Sequence, residues 1–213
     1  ALTCGATAGS CSGTAGVGFS EIVVVRNRVM DLLAAGHRVW RFEGGEPWMG
    51  TPDPVKAAMG AALARGETRY APSSGIPDLR AAILEKVRVR NGIPAEPESP
   101  IVVNGGMQGL FAAFATLLDA GDEVLMFSPY WTPILDLVAY HEAKAVLVPT
   151  DEARREGLTA ALARRTTPRT KLLYWNSPNN PTGDVFPRRE VEEVAAFARE
   201  RGLAVISDEA YED

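Results

Sequence analysis

Residues 171–211 read KLLYWNSPNNPTGDVFPRREVEEVAAFARERGLAVISDEAY, and this stretch decides the fold. Lys171 to Trp175 is a short, almost wholly apolar run of the kind that forms a strand buried on both faces. It breaks at the turn-forming series Asn176-Ser177-Pro178-Asn179-Asn180-Pro181-Thr182-Gly183. Pro187 then opens a helical stretch to Arg201, closed by Gly202, and Leu203 to Ile206 is a second apolar run. Strand, turn, helix and strand in this order make a parallel pair joined by a crossover helix.

The same unit repeats upstream. Strands are expected at Ile101 to Val103, Glu123 to Phe127 and Ala145 to Val148, with helices from Met107 to Leu118 and from Pro133 to His141. Further back, Ile22, Val25, Val29 and Leu32 recur at helical spacing up to Gly36, and Val39 to Phe42 reads as a short strand. Asp53-Pro54 begins a helix that Gly66 ends, and Pro77 to Arg90 forms another before Asn91-Gly92. The fold class that follows is α/β, a three-layer α/β/α arrangement around a mostly parallel sheet.

Composition narrows the function. Hydrophobic residues make up 46% of the 213, and 22 basic against 27 acidic residues leave a net charge of −5. That balance offers no general attraction to nucleic acid. No run approaches the about 18 apolar residues that a membrane helix requires, and no signal peptide is recognisable, so a cytoplasmic protein without a membrane partner is expected. Cys4 and Cys11 lie in a Gly/Ala/Ser/Thr-rich opening, residues 1–18, that reads as a flexible or non-native tail. Neither has companions at metal-ligand spacing, so no metal site is expected.

Open parallel sheets bind ligands outside the carboxyl ends of their strands, and the unusual residues of this sequence fall there. Asn104-Gly105-Gly106-Met107-Gln108 leads into a helix, where bare N–H groups and the helix dipole suit a phosphate; an ordinary glycine turn is the commoner use of such a sequence. Trp131, after the Glu123 strand, offers a ring on which a flat heteroaromatic could stack, or simply packs at the rim. Asn179 and Asn180 place two amides in a rigid turn that turn chemistry alone also explains. Asp208 follows the apolar Ala204-Val205-Ile206, and a carboxylate so placed needs a cation or several donors. Together these supply a phosphate seat, a stacking ring, an amide and an anion, the complement of a phosphorylated pyridine.

With these residues in view, the chain resembles the fold-type I, class I/II aminotransferases of the aspartate aminotransferase family. The most specific match is Ser177-Pro178-Asn179-Asn180-Pro181-Thr182-Gly183 followed by Ser207-Asp208-Glu209-Ala210-Tyr211. Supporting matches are Gly45-Glu46-Pro47, Arg69-Tyr70-Ala71-Pro72, Gly75-Ile76-Pro77-Asp78-Leu79-Arg80, Gly105-Gly106-Met107-Gln108 and Ala120-Gly121-Asp122-Glu123-Val124. The resemblance runs from about Phe19 to Asp213. It implies a small-domain segment over 19–50 and part of a large cofactor-binding domain over 51–213.

The resemblance implies pyridoxal 5′-phosphate as cofactor. Asp208 would pair with the pyridine nitrogen, Asn180 and Tyr211 would hydrogen-bond the phenolic oxygen, and Trp131 would stack on the ring. Gly105, Gly106 and Met107 would hold the phosphate through backbone N–H groups, and Gly45 would lie at the substrate α-carboxylate. The tyrosine matching Tyr70 reaches the phosphate of the neighbouring subunit in this family, which implies a homodimer. The substrates implied are an amino acid and a 2-oxo acid.

The family's Schiff-base lysine comes shortly after the aspartate matching Asp208, and this sequence stops at Asp213. Lys56, Lys86, Lys144 and Lys171 stand in no such context and read as surface charge. The expectation is a fragment of a longer gene product, without appreciable transaminase turnover by itself. A lyase, synthase or decarboxylase of the same fold shares this cradle. An aminotransferase-like effector domain of a transcriptional regulator would need a helix-turn-helix domain ahead of Phe19. A nucleotide-binding domain would need a phosphate-loop or dinucleotide fingerprint, which Asn104-Gly105-Gly106-Met107 is not.

Overall fold

In the computed structural model, residues 21–45 and 48–212 are described. Cys4, Cys11, the rest of the 1–18 segment, Glu46 and Pro47 lie outside the described residues. The chain divides into two compact units, Glu21–Gly105 and the part from Gly106 onward.

The first unit holds three helices, α1 (Glu21–Ala34), α2 (Asp53–Ala64) and α3 (Pro77–Val89). Prolines 54 and 77 sit in the opening turns of α2 and α3 and cost no hydrogen bond there. Lys86 and Arg88 lie in the last turn of α3, where cations complement the helix dipole. Gly75, at φ +107°, lies so close to Val102 that an added Cβ would stand 2.4 Å from its Cγ2.

Two strands expected in this unit do not form. The 39–42 segment is irregular, with Trp40 and Phe42 exposed. The 101–103 segment is irregular as well; Val102 N–H donates to Ser74 O (3.0 Å), and Gly105 N–H donates to Val103 O (2.9 Å). A run of three or four apolar residues without a ladder neighbour has nothing to fix its backbone as a strand.

The second unit runs α4 (Gly106–Leu117), β1 (Glu123–Ser128), α5 (Pro133–Tyr140), β2 (Lys144–Pro149), α6 (Thr150–Glu156), α7 (Leu158–Arg165), β3 (Thr170–Asn176), α8 (Arg188–Arg201) and β4 (Ala204–Asp208). The four strands form one parallel sheet in the order β2-β1-β3-β4. Helices α6 and α7 are additions to the sequence reading. Gly157, at φ +95°, separates them, and Leu158, Ala161 and Leu162 form the buried stripe of α7.

Strand alternation splits the core into two apolar layers. Leu125, Phe127, Leu173 and Trp175 face α6, α7 and α8, meeting Ala161, Leu162, Val194 and Phe197. Val124, Met126, Leu172 and Tyr174 face α4 and α5, meeting Phe114, Ile134, Leu137 and Val138. The result is the expected three-layer α/β/α arrangement.

At the amino end of β1, the buried Glu123 accepts hydrogen bonds from the hydroxyls of Thr167 (2.6 Å) and Thr170 (3.3 Å), with Lys144 Nζ at 3.5 Å. The Thr167 hydroxyl foremost, then Lys144, hold this carboxyl below the usual glutamate range against the opposing effect of burial.

Candidate active site at the carboxyl rim of the sheet

The helix after β1 packs on one face of the sheet and the helix after β3 on the other. Where neighbouring strands send their chains to opposite faces, a crevice opens beyond their carboxyl ends. In this sheet that rule places the ligand position between β1 and β3. Trp131, half-buried, follows β1, and the turn 176–183 follows β3.

Asn176 fixes that turn from below. It is 8% exposed and lies in register with Asp208 of β4. Its Nδ2 donates to Asp208 O (3.1 Å) and Pro178 O (3.2 Å), while its Oδ1 accepts Asn180 N–H (2.8 Å). Asn179 braces the turn from within: its Oδ1 accepts from the Thr182 hydroxyl (2.9 Å), and its N–H donates to Asp184 O (2.9 Å). Asn179 Nδ2 also donates to Pro129 O (3.2 Å), which joins the loops that follow β1 and β3.

Above this base the structure brings together three of the residues singled out from the sequence. Asn180 Nδ2 donates to the Tyr211 hydroxyl oxygen (3.2 Å), so the amide and phenol form one polar pair. Asp208 ends β4 half-buried. Its Oδ1 accepts Ala210 N–H (3.2 Å), and its Oδ2 accepts the Tyr174 hydroxyl proton (2.5 Å). Among the described residues no cation pairs with this carboxylate. Two neutral donors leave acceptor capacity on both oxygens, which suits a cationic N–H.

Tyr174 was not singled out from the sequence. Its apolar neighbours Leu173 and Trp175 place it in a strand, but the reach of its hydroxyl to a residue 34 positions on depends on strand pairing. The available signal is chemical: a tyrosine inside a strand buried at every position but Lys171 needs a partner for its hydroxyl.

The glycine-rich segment divides in its roles. Gly105, at φ +83°, turns the chain, and its own N–H is bonded to Val103 O. Gly106 and Met107 open α4, where the first N–H groups of a helix have no intrahelical acceptor. A Cβ added at Gly105, Gly106 or Gly45 would meet nothing within 4 Å. Gly45 and Tyr70 belong to the first unit; Tyr70 is fully exposed there.

Comparison with known proteins bears on the family and the fold. Residues 41–213 match the family model for aminotransferases of class I and II. The aspartate/prephenate aminotransferase of Thermus thermophilus is 43% identical over 196 residues, 91% of this chain and 50% of its own length. The bifunctional aspartate aminotransferase and glutamate/aspartate-prephenate aminotransferase of Petunia hybrida is 37% identical over 195 residues, 91% of this chain and 41% of its own. Among solved structures, a double mutant of Thermus thermophilus aspartate aminotransferase superposes with a TM-score of 0.88 at 41% identity, covering 96% of this chain and 54% of that one. Alanine aminotransferase from Pyrococcus furiosus gives 0.86 at 31%, covering 95% and 52%. The chain thus spans about half the length of the relatives it matches, and over that span it belongs to the class I and II aminotransferases.

Proposed function

We propose that the protein containing this chain is a pyridoxal 5′-phosphate-dependent aminotransferase that moves an amino group from an amino acid to a 2-oxo acid. One observation carries the reading: a half-buried carboxylate that pairs with no cation among the described residues, Asp208, ends β4 beside the turn that holds the Asn180–Tyr211 pair. The donor set fits the cofactor, because an anion, a phenol–amide pair and a helix start match its three polar groups.

When bound, pyridoxal 5′-phosphate supplies an electron sink for the carbanion left by loss of the substrate α-proton. The residues of this chain hold and polarise it. Asp208 accepts the hydrogen bond of a protonated ring nitrogen and keeps the proton there. Asn180 and Tyr211 would donate to the phenolic oxygen, Trp131 would stack on the ring, and the N–H groups of Gly106 and Met107 would hold the phosphate. Gly105 contributes the left-handed turn that aims them. Gly45 leaves room for the substrate α-carboxylate.

The full exposure of Tyr70 supports a second proposal, a homodimer in which this phenol reaches the partner's phosphate. The names of the relatives extend the reading to aspartate as amino donor and prephenate among the acceptors. Among the described residues no helix is long and apolar enough to cross a membrane, which is compatible with the cytoplasmic placement we propose.

The test uses the full-length protein with pyridoxal 5′-phosphate, aspartate and 2-oxoglutarate. Glutamate and oxaloacetate should form in equal amounts, and Asp208→Ala should lower the rate by about 10²-fold or more. Release of carbon dioxide, or of the amino group as ammonia, without a 2-oxo acid acceptor would identify a decarboxylase or lyase instead.

A further inference from the structure

Asp208 is placed by a residue beneath it. We propose that Tyr174 is a positioning residue for the cofactor site, its buried hydroxyl holding the Asp208 carboxylate in the orientation that receives the ring nitrogen. The inference rests on the reading of Asp208 given above and adds a residue to it.

Tyr174 lies in β3, between β1 and β4. It is 2% exposed, and its ring belongs to the layer built by Phe114, Met126, Ile134 and Leu172. Close packing on a central strand leaves such a ring little freedom. A phenylalanine would fill the same layer without burying a hydroxyl, so the oxygen is accounted for by its partner, Asp208 Oδ2 at 2.5 Å. Burial foremost, then the hydrogen bond and charge of Asp208, push the phenol well above its usual range. The hydroxyl therefore remains a donor throughout the pH range in which proteins work.

The geometry gives the pair a direction. Asp208 stands at the end of β4, opposite Asn176, whereas Tyr174 lies two residues back along β3, opposite Ile206. The phenol thus reaches forward from the core to the rim, while Ala210 N–H holds the other carboxylate oxygen. With one donor fixed on each oxygen, the plane of the carboxylate is set before any ligand arrives. Preorganisation of this kind raises affinity by reducing the ordering required on binding.

The experiment measures pyridoxal 5′-phosphate binding to the full-length apo-protein by tryptophan fluorescence, in a double-mutant cycle of Tyr174→Phe and Asp208→Ala. Tyr174→Phe should weaken binding about tenfold in the native background, the scale of one lost hydrogen bond to a charged group, and leave it unchanged once Asp208 is alanine. The absorption band of the bound cofactor in Tyr174→Phe should move toward that of Asp208→Ala. Equal weakening in both backgrounds would reduce Tyr174 to a packing residue and overturn the inference. So would native affinity in Tyr174→Phe while Asp208→Ala binds poorly, an outcome that leaves the site reading intact. Native affinity and spectrum in Asp208→Ala would remove the site reading, and this inference with it. Should Tyr174→Phe not fold, Tyr174→Leu, which also lacks a donor, gives the same comparison; native affinity in that folded variant overturns the proposal.

Discussion

Replacing Asn176 by alanine should loosen the turn that carries Asn180 and weaken the whole protein. The side chain makes three hydrogen bonds of 2.8 to 3.2 Å, to Asn180 N–H, Asp208 O and Pro178 O. Each is worth about 0.5–1.5 kcal/mol net, and a buried partner left unpaired costs about 1–3 kcal/mol. The Asp208 carbonyl retains a donor, Ser177 N–H at 3.2 Å, so its loss is partial. Asn180 N–H loses its acceptor outright. The sum is about 2–3 kcal/mol, a 30- to 150-fold change in the folding equilibrium. With an m-value of about 2–3 kcal/mol/M, the urea midpoint should fall by about 1 M. Ser207→Ala, on the neighbouring strand with an exposed hydroxyl bonded to Glu209, is the control and should stay within about 0.5 kcal/mol. Affinity for the proposed cofactor should fall as well, since Asn180 loses its anchor. An Asn176→Ala midpoint matching the control would show that the turn is held by its own prolines and by Asn179, and the stapling role would be refuted.

Three further outcomes follow from the same structure. Glu123→Gln should cost about 1–2 kcal/mol at neutral pH and flatten the acid limb of stability. The lowered folded pKa of Glu123 gives stabilisation that is complete above the ordinary glutamate range and lost as pH falls through the folded value, which acid titration by circular dichroism follows. Gly75→Ala should destabilise by about 2–4 kcal/mol, because a side chain at φ +107° would also stand 2.7 Å from Val102 Cβ; denaturant unfolding measures it. Phe114→Ala empties a fully buried position in the layer beneath Tyr174 and should cost about 3–5 kcal/mol by the same measurement.

The sheet was legible because its strands are dense apolar runs ended by turn residues. Lys171 to Trp175 and Leu203 to Ile206 lie within one residue of the β3 and β4 boundaries at most ends. The 39–42 and 101–103 segments were misread because a short apolar run has the composition of a strand whether or not a neighbour pairs with it. Helix α7 was missed although Leu158, Ala161 and Leu162 carry the helical spacing, since Gly157 interrupts the pattern after one short helix. At the proposed site, Asn180, Tyr211 and Asp208 stand out in the sequence as an ordered motif. Asn176 and Tyr174 were not, because they act through partners 32 and 34 positions away that only strand register brings near.

Because all four strands point the same way, the domain has a head and a foot. Glu123, Thr167 and Thr170 knit the foot, while Asp208 and Asn180 occupy the head. Improvements in hardiness can therefore be sought among the foot residues, away from the proposed site. A selection for heat resistance should gather its changes there, leaving Asp208 and Asn180 untouched.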